Sequence, residues 1–562
     1  MDSVLITGMA FRLPGAQTYN ELYAMLHSAR VNIRSQPRDT QADDVTGLPW
    51  ADVPSAPAAA ILTDIDRFEN EMFDIDGHEA ELLDPQQRVL MEIVWNALES
   101  SNTDPSRGVP GAGLFVGSTP STYVFGLMSS HTVGSDRLAE LLNIHSWSGF
   151  VARLSHALGI DGPGLALESF SSSGLVAFHL GVESLLNHEC DKAIVCGASI
   201  KIPQFPLYKE ASRSGRCLPF DRRADGTVVG NGAVCFILER ESDAKTRGAP
   251  HRARILGTAT NMDGRSYPGI RSFERSAKER VMVEAMMAGG VDRESIDYVE
   301  AHACGVELAD RIELAAISRA YQSMGRSNEL RVGSLAGNIG HLDSIAGLAG
   351  LLKCVLMVEQ RICFPQVMGE SPLITGEGLP TGIVISPEPR EQPGKNDLRV
   401  AVNSFGLGGV NANVILEHAS NTYPAQKTSS RSSPVELRLS QRSGAMLKVY
   451  ERRLLDAIRS TPGLPIGYLR SVMADGRPRW RVGADYLVSS SDELADQLRN
   501  SINDGTQEAH ESEGCDVTEG LESSRCPEPV PRLGTGEIPG TVMSGKRWWH
   551  KSIDRSRSIF RE

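Results

Sequence analysis

The sequence lacks the clustered cysteines of a zinc site. None of its cysteines forms a CxxC pair, which argues against structural zinc; the nine are Cys190, Cys196, Cys217, Cys235, Cys304, Cys354, Cys363, Cys515 and Cys526. Most lie in apolar runs and are predicted to be small buried residues of a protein in a reducing compartment. No GxGxxG turn follows a strand and no His and Cys ligands cluster, so we predict no metal and no redox cofactor.

Long apolar runs and an excess of positive charge are also missing. No stretch reaches the roughly 18 apolar residues that span a bilayer. The first residues, MDSVLITGMAFRLPGA, have no basic lead, which is untypical of a signal peptide. The formal net charge of −13 argues against nucleic acid and against an anionic membrane as partners. We therefore expect a cytoplasmic protein.

Short β-like runs alternate with amphipathic segments over residues 1–419. The runs include SVLIT at the start, KAIVCG at 192 and AVCFILE at 233, and the segments include PQQRVLMEIVWNALESS and SIAGLAGLLKCVLMVEQ. Strands that alternate with helices predict a layered α/β fold.

The composition changes after residue 419. Residues 420–434 are polar and predict a linker. Residues 435–503 regain helical and strand patterns and predict a small α+β domain. Residues 504–562 are rich in Glu, Ser, Gly and Pro and end in a basic stretch with two tryptophans, so we expect a largely disordered tail.

Six motifs follow one another over residues 1–419. They are GMAFRLPGA, LLDPQQRVLMEIVWNALE, SGRCLPFDRRADGTVVGNGA, YVEAHACGVELADRIEL, VGSLAGNIGHLDSIAGLAGLLK and VNSFGLGGVNANVILE. In this order they resemble the β-ketoacyl synthase (ketosynthase) domain of type I polyketide synthases. Residues 435–503 resemble the linker domain that follows such ketosynthases.

The resemblance implies a thiolase-like, five-layered αβαβα fold built from two similar halves, and a homodimer. It implies an acyl thioester substrate, presented on the phosphopantetheine of an acyl carrier protein or on coenzyme A. No acyltransferase GHSxG motif or carrier-protein DSL serine follows residue 504. We therefore expect a truncated synthase that takes its substrate from other proteins, with another polyketide synthase subunit as a possible partner.

Ser171 stands where the resemblance places the family's nucleophilic cysteine, in the run Glu168-Ser-Phe-Ser-Ser-Ser173. A helix N-terminus favours a thiolate and helps to stabilise an oxyanion. It does not ionise a serine hydroxyl at neutral pH, so Ser171 needs a base within hydrogen-bond reach.

Two histidines are candidates for that base. His302 and His341 match the family histidines that hold a malonyl thioester and support loss of CO2, by donating hydrogen bonds to the developing enolate. With Ser171 they form the predicted catalytic set. The predicted substrate-binding residues are Phe405, Gly406, Gly408 and Asn338.

Several other family positions are altered. Ala336 replaces a lysine that organises charge around the second histidine, and Asn231 stands at a usual glutamate. Cys304 and Val306 lie in the segment whose threonines contact the pantetheine arm, so hydroxyl donors are lost. Cys304 could be a relocated nucleophile, although packing is the simpler interpretation.

These observations leave two functions open. The protein could be an enzyme that transfers an acyl group through Ser171, or one that uses the two imidazoles to decarboxylate a malonyl thioester without a covalent step. Alternatively, it could be a catalytically inactive partner or scaffold subunit of a polyketide synthase.

Overall fold

The computed structural model describes residues 2–35, 58–129, 138–202, 211–264, 275–321, 329–373, 382–391, 398–419, 434–461, 464–508, 538–543 and 545–548. Its strands are β1 (Val4–Arg12), β2 (Arg34–Ser35), β3 (Ala58–Ala60), β4 (Arg67–Phe68), β5 (Ala112–Gly117), β6 (Gly164–Leu167), β7 (Lys192–Ser199), β8 (Val229–Gly230), β9 (Gly232–Arg240), β10 (Ala253–Met262), β11 (Ile296–Glu300), β12 (Leu330–Gly333), β13 (Ile362–Cys363), β14 (Ile383–Val384), β15 (Arg390–Glu391), β16 (Arg399–Phe405), β17 (Val410–His418), β18 (Val435–Gln441), β19 (Val482–Val488) and β20 (Lys546–Arg547).

The helices in chain order are α1 (Tyr19–His27), α2 (Gly77–Leu82), α3 (Pro85–Ser100), α4 (Tyr123–Ser129), α5 (Leu138–His145), α6 (Trp147–Leu158), α7 (Ser173–Leu186), α8 (Glu241–Arg247), α9 (Arg275–Gly289), α10 (Glu307–Tyr321), α11 (Ala336–Ile339), α12 (Ala346–Gln360), α13 (Gly444–Ser460), α14 (Ile466–Asp475) and α15 (Ser491–Glu508). Short 3-10 turns cover Asn70–Phe73, Pro105–Arg107, Arg293–Ser295 and Asp343–Ile345. The strands and helices predicted from the quoted runs are confirmed.

Eleven strands hydrogen-bond in the order β14-β12-β11-β16-β17-β10-β1-β9-β7-β5-β6. From one end, β6, β5 and β7 are parallel, and β9 and β1 then follow antiparallel. From the other end, β14, β12, β11 and β16 are parallel, and β17 and β10 then follow antiparallel. Apart from the additional edge strand β14, the same five-strand pattern therefore occurs twice, as the expected pair of similar halves requires.

Two apolar helices, α7 and α12, occupy the middle of this fold. Both contact strands of each half, and they contact each other. Every residue of α12 from Gly347 to Val358 is buried, as expected for a helix that is apolar on all sides. Glycines permit the close approach, since a Cβ at Gly347 would lie 2.5 Å from Leu175 Cγ. The contact between the two helices places the loop before α7 close to the loop before α12. These loops carry Ser171 and His341.

The chain divides into two compact units. The first comprises Met1–Ala97, Arg107–Asn421 and Gly545–Glu562, and the second Leu98–Ser106 and Thr422–Ser544. The second unit contains the predicted α+β domain, with β18 and β19 antiparallel and α13, α14 and α15 packed around them. The predicted linker lies outside the described residues except for Pro434.

The expectation of a disordered tail from residue 504 was wrong for three described stretches. Helix α15 continues to Glu508. Ile538 and Val542 are buried in the core of the second unit, and Arg477 donates to the carbonyl of Ile538 at 2.7 Å. Lys546–Arg547 pairs with Arg67–Phe68 as a short antiparallel ladder. The polar composition of the tail predicted disorder, but buried apolar side chains and backbone pairing order these stretches. Residues 509–537 and 549–562 lie outside the described part of the chain.

Candidate active site

The turn before α7 is held by serine hydroxyls. Ser173 Oγ accepts from the Ser169 amide at 2.8 Å and donates to the Phe170 carbonyl at 2.6 Å. Ser172 Oγ donates to the Ser169 carbonyl at 2.8 Å. Phe170 has φ +57°, a left-handed conformation that costs a non-glycine residue about 1 kcal/mol. The hydroxyls stabilise this turn, which explains why the segment is rich in serine.

Ser171 follows directly and lies buried at the tip of α7. Ser404 Oγ, on β16, donates to the Ser171 carbonyl at 2.7 Å and fixes its backbone. The Ser171 hydroxyl oxygen lies 2.9 Å from His341 Nε2, within hydrogen-bond distance. The structure therefore brings together the predicted nucleophile and one of its two predicted bases.

His341 lies between α11 and α12. Its amide donates to the Val228 carbonyl at 2.7 Å, and its carbonyl accepts from the Gly230 amide at 2.9 Å. Gly340 precedes it with φ +69°, and a Cβ there would lie 2.6 Å from the Val228 oxygen. Only glycine fits this approach, which fixes the direction of the His341 side chain.

His302 follows β11, and Glu313 of α10 holds its backbone. The Glu313 carboxylate accepts from the amides of His302 at 2.8 Å and Ala303 at 2.9 Å, and from Asn403 Nδ2 at 3.0 Å. The imidazole rings of His302 and His341 have centroids 5.1 Å apart and are nearly perpendicular. Ser171 and His341, which are buried, thus form one cluster with the half-buried His302.

Both imidazoles are held in their neutral form. Burial lowers the pKa of His302 well below its usual range, and the neighbouring His341 and Lys278 lower it further. Burial also lowers the pKa of His341, although the Asp343 carboxylate opposes the shift. A neutral imidazole can accept a proton at one nitrogen, as acyl transfer needs, and donate a hydrogen bond from the other, as decarboxylation needs.

A small cavity adjoins the two imidazoles. It has a volume of about 20 Å³, and its lining includes His302, His341, Ala336 and Asn403. This volume admits one water molecule. Ala336 stands where the resemblance implies a lysine, and its smaller side chain leaves part of this space empty.

The predicted substrate-binding residues separate into two groups. Phe405 lies edge-on to His302, with ring centroids 5.9 Å apart. A Cβ on Gly406 would lie 2.2 Å from the Ser169 oxygen, and one on Gly408 would lie 3.1 Å from the Phe170 ring. These three therefore contact the cluster or its turn. Asn338 instead donates from its side-chain amide to the Arg30 carbonyl at 3.0 Å, which is a structural contact.

Cys304 is half-buried, and its thiol is shielded from ionisation. Burial raises the pKa of its thiol well above the usual range, and nearby Asp310 and Cys217 raise it further. A thiol that resists ionisation is a poor nucleophile. The structure favours the packing interpretation.

Sequence reasoning missed four side chains that support the cluster. Ser404 and Glu313 position Ser171 and His302 as described. Asp343 Oδ2 lies 3.2 Å from Lys201 Nζ. Lys278 of α9 lies buried with its Nζ 5.0 Å from the centroid of the Phe405 ring. Glu313, Asp343 and Ser404 lie within three of the six quoted motifs and Lys278 lies outside them. The motifs did not show what these side chains contact, because pairing with residues distant along the chain determines where they point.

Among the described residues, no group of three or more His, Cys, Asp and Glu side chains is arranged to hold a metal ion. Within the described residues, no helix is long and apolar enough to cross a membrane.

Comparison with protein families finds two adjoining matches. The model of the β-ketoacyl synthase N-terminal domain matches residues 1–244, and that of the C-terminal domain matches residues 252–370. Over 551 residues the chain is 32% identical to a component of the phenolphthiocerol/phthiocerol polyketide synthase of Mycobacterium tuberculosis, covering 93% of this chain and 36% of that protein. It is 31% identical to the spectinabilin polyketide synthase system protein NorC of Streptomyces orinoci, covering 88% and 23%. The chain thus spans about a third of the length of the first relative and about a quarter of the length of the second.

Solved structures share the fold. Ketosynthase twelve of the bacillaene polyketide synthase of Bacillus amyloliquefaciens superposes with a TM-score of 0.80 at 24% identity, covering 98% of this chain and all of that one. The module 6 ketosynthase of the bacillaene synthase of Bacillus subtilis 168, solved as a cysteine-to-serine mutant, gives a TM-score of 0.78 at 24% identity over the same shares. The expected thiolase-like fold is confirmed.

Proposed function

The chain belongs to the β-ketoacyl synthase family, and from this membership we propose that it accepts acyl groups from thioesters of polyketide biosynthesis onto Ser171. The observation that supports this most strongly is the 2.9 Å approach of Ser171 Oγ to His341 Nε2. A serine that replaces a cysteine nucleophile needs a base at this distance.

The proposed acyl transfer balances without a further reagent. His341 Nε2 takes the Ser171 proton as Oγ forms a bond to the thioester carbon, and the carbon–sulfur bond breaks. The imidazolium then returns the proton to the leaving thiolate. This route needs the His341 tautomer that carries its hydrogen on Nδ1 in the resting site.

Decarboxylation is the second candidate, because the centroids of two neutral imidazoles lie 5.1 Å apart. In this reaction the carbon–carbon bond to the carboxylate breaks, CO2 leaves and the electron pair forms an enolate. An imidazole N–H donates a hydrogen bond to the enolate oxygen, and the enolate carbon then takes a proton from water to give the acetyl thioester. Ser171 takes no covalent part.

The substrate and partners form part of the same proposal. An acyl carrier protein or coenzyme A presents the acyl group on its phosphopantetheine, and another polyketide synthase subunit supplies or receives it. The chain acts as a homodimer. We propose no cofactor and no metal, because acyl transfer and decarboxylation need only the groups named above.

The test incubates the protein with malonyl-loaded carrier protein and with malonyl-coenzyme A, and follows thiol release and CO2 release. Acyl transfer predicts thiol release that Ser171→Ala abolishes and Ser171→Cys accelerates. Decarboxylation predicts CO2 release that His302→Ala reduces and Ser171→Ala leaves intact. Rates at the uncatalysed background in every variant would contradict both and favour an inactive partner or scaffold subunit.

A further inference from the structure

The buried lysine Lys278 lies beside the candidate site, within α9. Only 6% of its surface is exposed, and its Nζ lies over the Phe405 ring, 5.0 Å from the centroid. The same ring meets His302 edge-on, with centroids 5.9 Å apart. The same aromatic ring therefore adjoins both the ammonium and an imidazole of the cluster.

The strand that carries Phe405 also positions the proposed nucleophile. The face of an aromatic ring is a favourable position for a cation, because the ring quadrupole is negative there. Phe405 directly follows Ser404 on β16, and Ser404 Oγ donates to the Ser171 carbonyl at 2.7 Å. The end of one strand thus positions both the ring under Lys278 and the backbone of Ser171.

Lys278 also acts electrostatically on the cluster. Burial lowers the pKa of His302, and the Lys278 charge lowers it further. Burial raises the pKa of Glu313 to about 7, and the same charge opposes that shift. Glu313 holds the backbone amide of His302. The Lys278 charge thus acts both on His302 and on the carboxyl group that holds the His302 backbone.

An anionic substrate group needs such a charge. Ser171 and two neutral imidazoles offer hydrogen bonds but no net charge, and a carboxylate brought into a buried site is unfavourable unless a cation lies nearby. A nearby cation also stabilises the carboxylate against its loss as CO2, because decarboxylation removes the negative charge from that position.

We propose that Lys278 is a specificity-determining residue that selects dicarboxylic acyl thioesters and retains their carboxylate during transfer to Ser171. This inference rests on the proposed function. Oγ forms its bond to the thioester carbon, the carbon–sulfur bond breaks, the proton passes through His341 to the thiolate, and the carboxylate is unchanged.

The first experiment measures binding and so does not depend on turnover. Two non-hydrolysable pantetheine amides, one carrying a malonyl group and one an acetyl group, are titrated into the full chain by calorimetry. The native protein should bind the malonyl analogue about tenfold more tightly or better. Lys278→Met should remove this preference by weakening the malonyl analogue alone, and Lys278→Arg should restore it.

Two controls test for non-specific effects. Lys245→Met removes an exposed lysine that pairs with Glu241 on α8, and it should leave both affinities unchanged. Lys278→Gln removes the charge but keeps most of the side-chain length and a polar end, so it serves if Lys278→Met disturbs folding. Equal weakening of both analogues in Lys278→Gln, or no preference in the native protein, would overturn the inference.

A second experiment separates this inference from the proposed function. Mass spectrometry of Ser171 peptides after reaction with malonyl-coenzyme A should show the intact malonyl ester. An acetyl ester in its place would overturn the retention of the carboxylate while leaving acyl transfer standing. A malonyl binding preference without any ester would support Lys278 and contradict acyl transfer.

Discussion

At the scale of single residues, the proposed acyl transfer depends on a hydroxyl and an imidazole that are neutral in the resting protein. Ser171 cannot ionise by itself as a helix-tip cysteine can, so its reactivity depends on the basicity of His341. Burial lowers the pKa of His341 and favours its neutral form. Nε2 lies 2.9 Å from the Ser171 hydroxyl oxygen, so the tautomer with its hydrogen on Nδ1 can accept the hydroxyl proton.

This predicts the pH dependence of thiol release. The pKa of His341 is lowered from its ordinary value of about 6.5. The imidazole therefore stays neutral as the pH falls through 6.5, and the rate should be level there and decline only at lower pH. A rate–pH profile between about pH 5 and 8 tests this, with carrier-protein stability checked at each pH. A decline centred above pH 6.5 would show that an unburied histidine or another group is the base.

At the scale of secondary-structure elements, the contact of α7 with α12 sets the position of Ser171. A Cβ at Gly347 would lie 2.5 Å from Leu175 Cγ and 2.9 Å from Ser404 Cβ, and Ser404 holds the Ser171 carbonyl. Gly347→Ala should therefore lower the free energy of unfolding by about 1–3 kcal/mol and slow acyl transfer. Chemical denaturation and the thiol-release assay measure the two effects.

The matched control is Gly444→Ala, at the first residue of α13. A Cβ there has nothing within 4 Å. Alanine also has the higher helix propensity, so this variant should be neutral or slightly stabilising. If Gly347→Ala behaved in the same way, the close approach of α7 and α12 would not be a constraint.

Elements also show what the sequence could predict. Alternating apolar patterns located the strands and helices, and the motif order placed Ser171, His302 and His341 in one site. Sequence patterns could not show that Lys278 points inward, because α9 carries charges at most of its early positions. Nor could they show that Asn338 is engaged with the Arg30 carbonyl, since that contact joins residues far apart in the chain.

At the scale of the whole molecule, the second unit depends on a segment that is distant in sequence. Ile538 and Val542 are isolated apolar residues without periodicity, which is why composition suggested disorder, yet both are buried in its core. Ile538→Ala should lower the free energy of unfolding of this unit by about 2–4 kcal/mol. Denaturation followed by limited proteolysis between residues 435 and 508 measures this loss.

The control for that prediction is Leu487→Ala, because Leu487 of β19 is 61% exposed. This substitution removes no core contact and should change the free energy by less than about 0.5 kcal/mol. Equal stability of the Ile538 and Leu487 variants would mean that residues 538–543 do not contribute to the core.

The proposed homodimer makes a further prediction. β6 is one of the two edge strands of the large sheet, and its Leu165 is 47% exposed. An apolar edge strand is a surface that a second copy can cover. Leu165→Lys should convert a dimer to a monomer in sedimentation analysis, whereas Leu308→Lys, at an exposed leucine of α10, should not. A native protein that is monomeric at micromolar concentration would contradict the dimer.

The measurement that tests the central claim most directly is the location of a trapped acyl group. The protein is quenched in acid soon after mixing with an acyl thioester, digested and analysed by peptide mass spectrometry. The account predicts an ester on Ser171, a faster-forming thioester in Ser171→Cys, and no ester at this peptide in His341→Ala. An unmodified Ser171 peptide in the native protein, together with an unreactive Ser171→Cys variant, would contradict it.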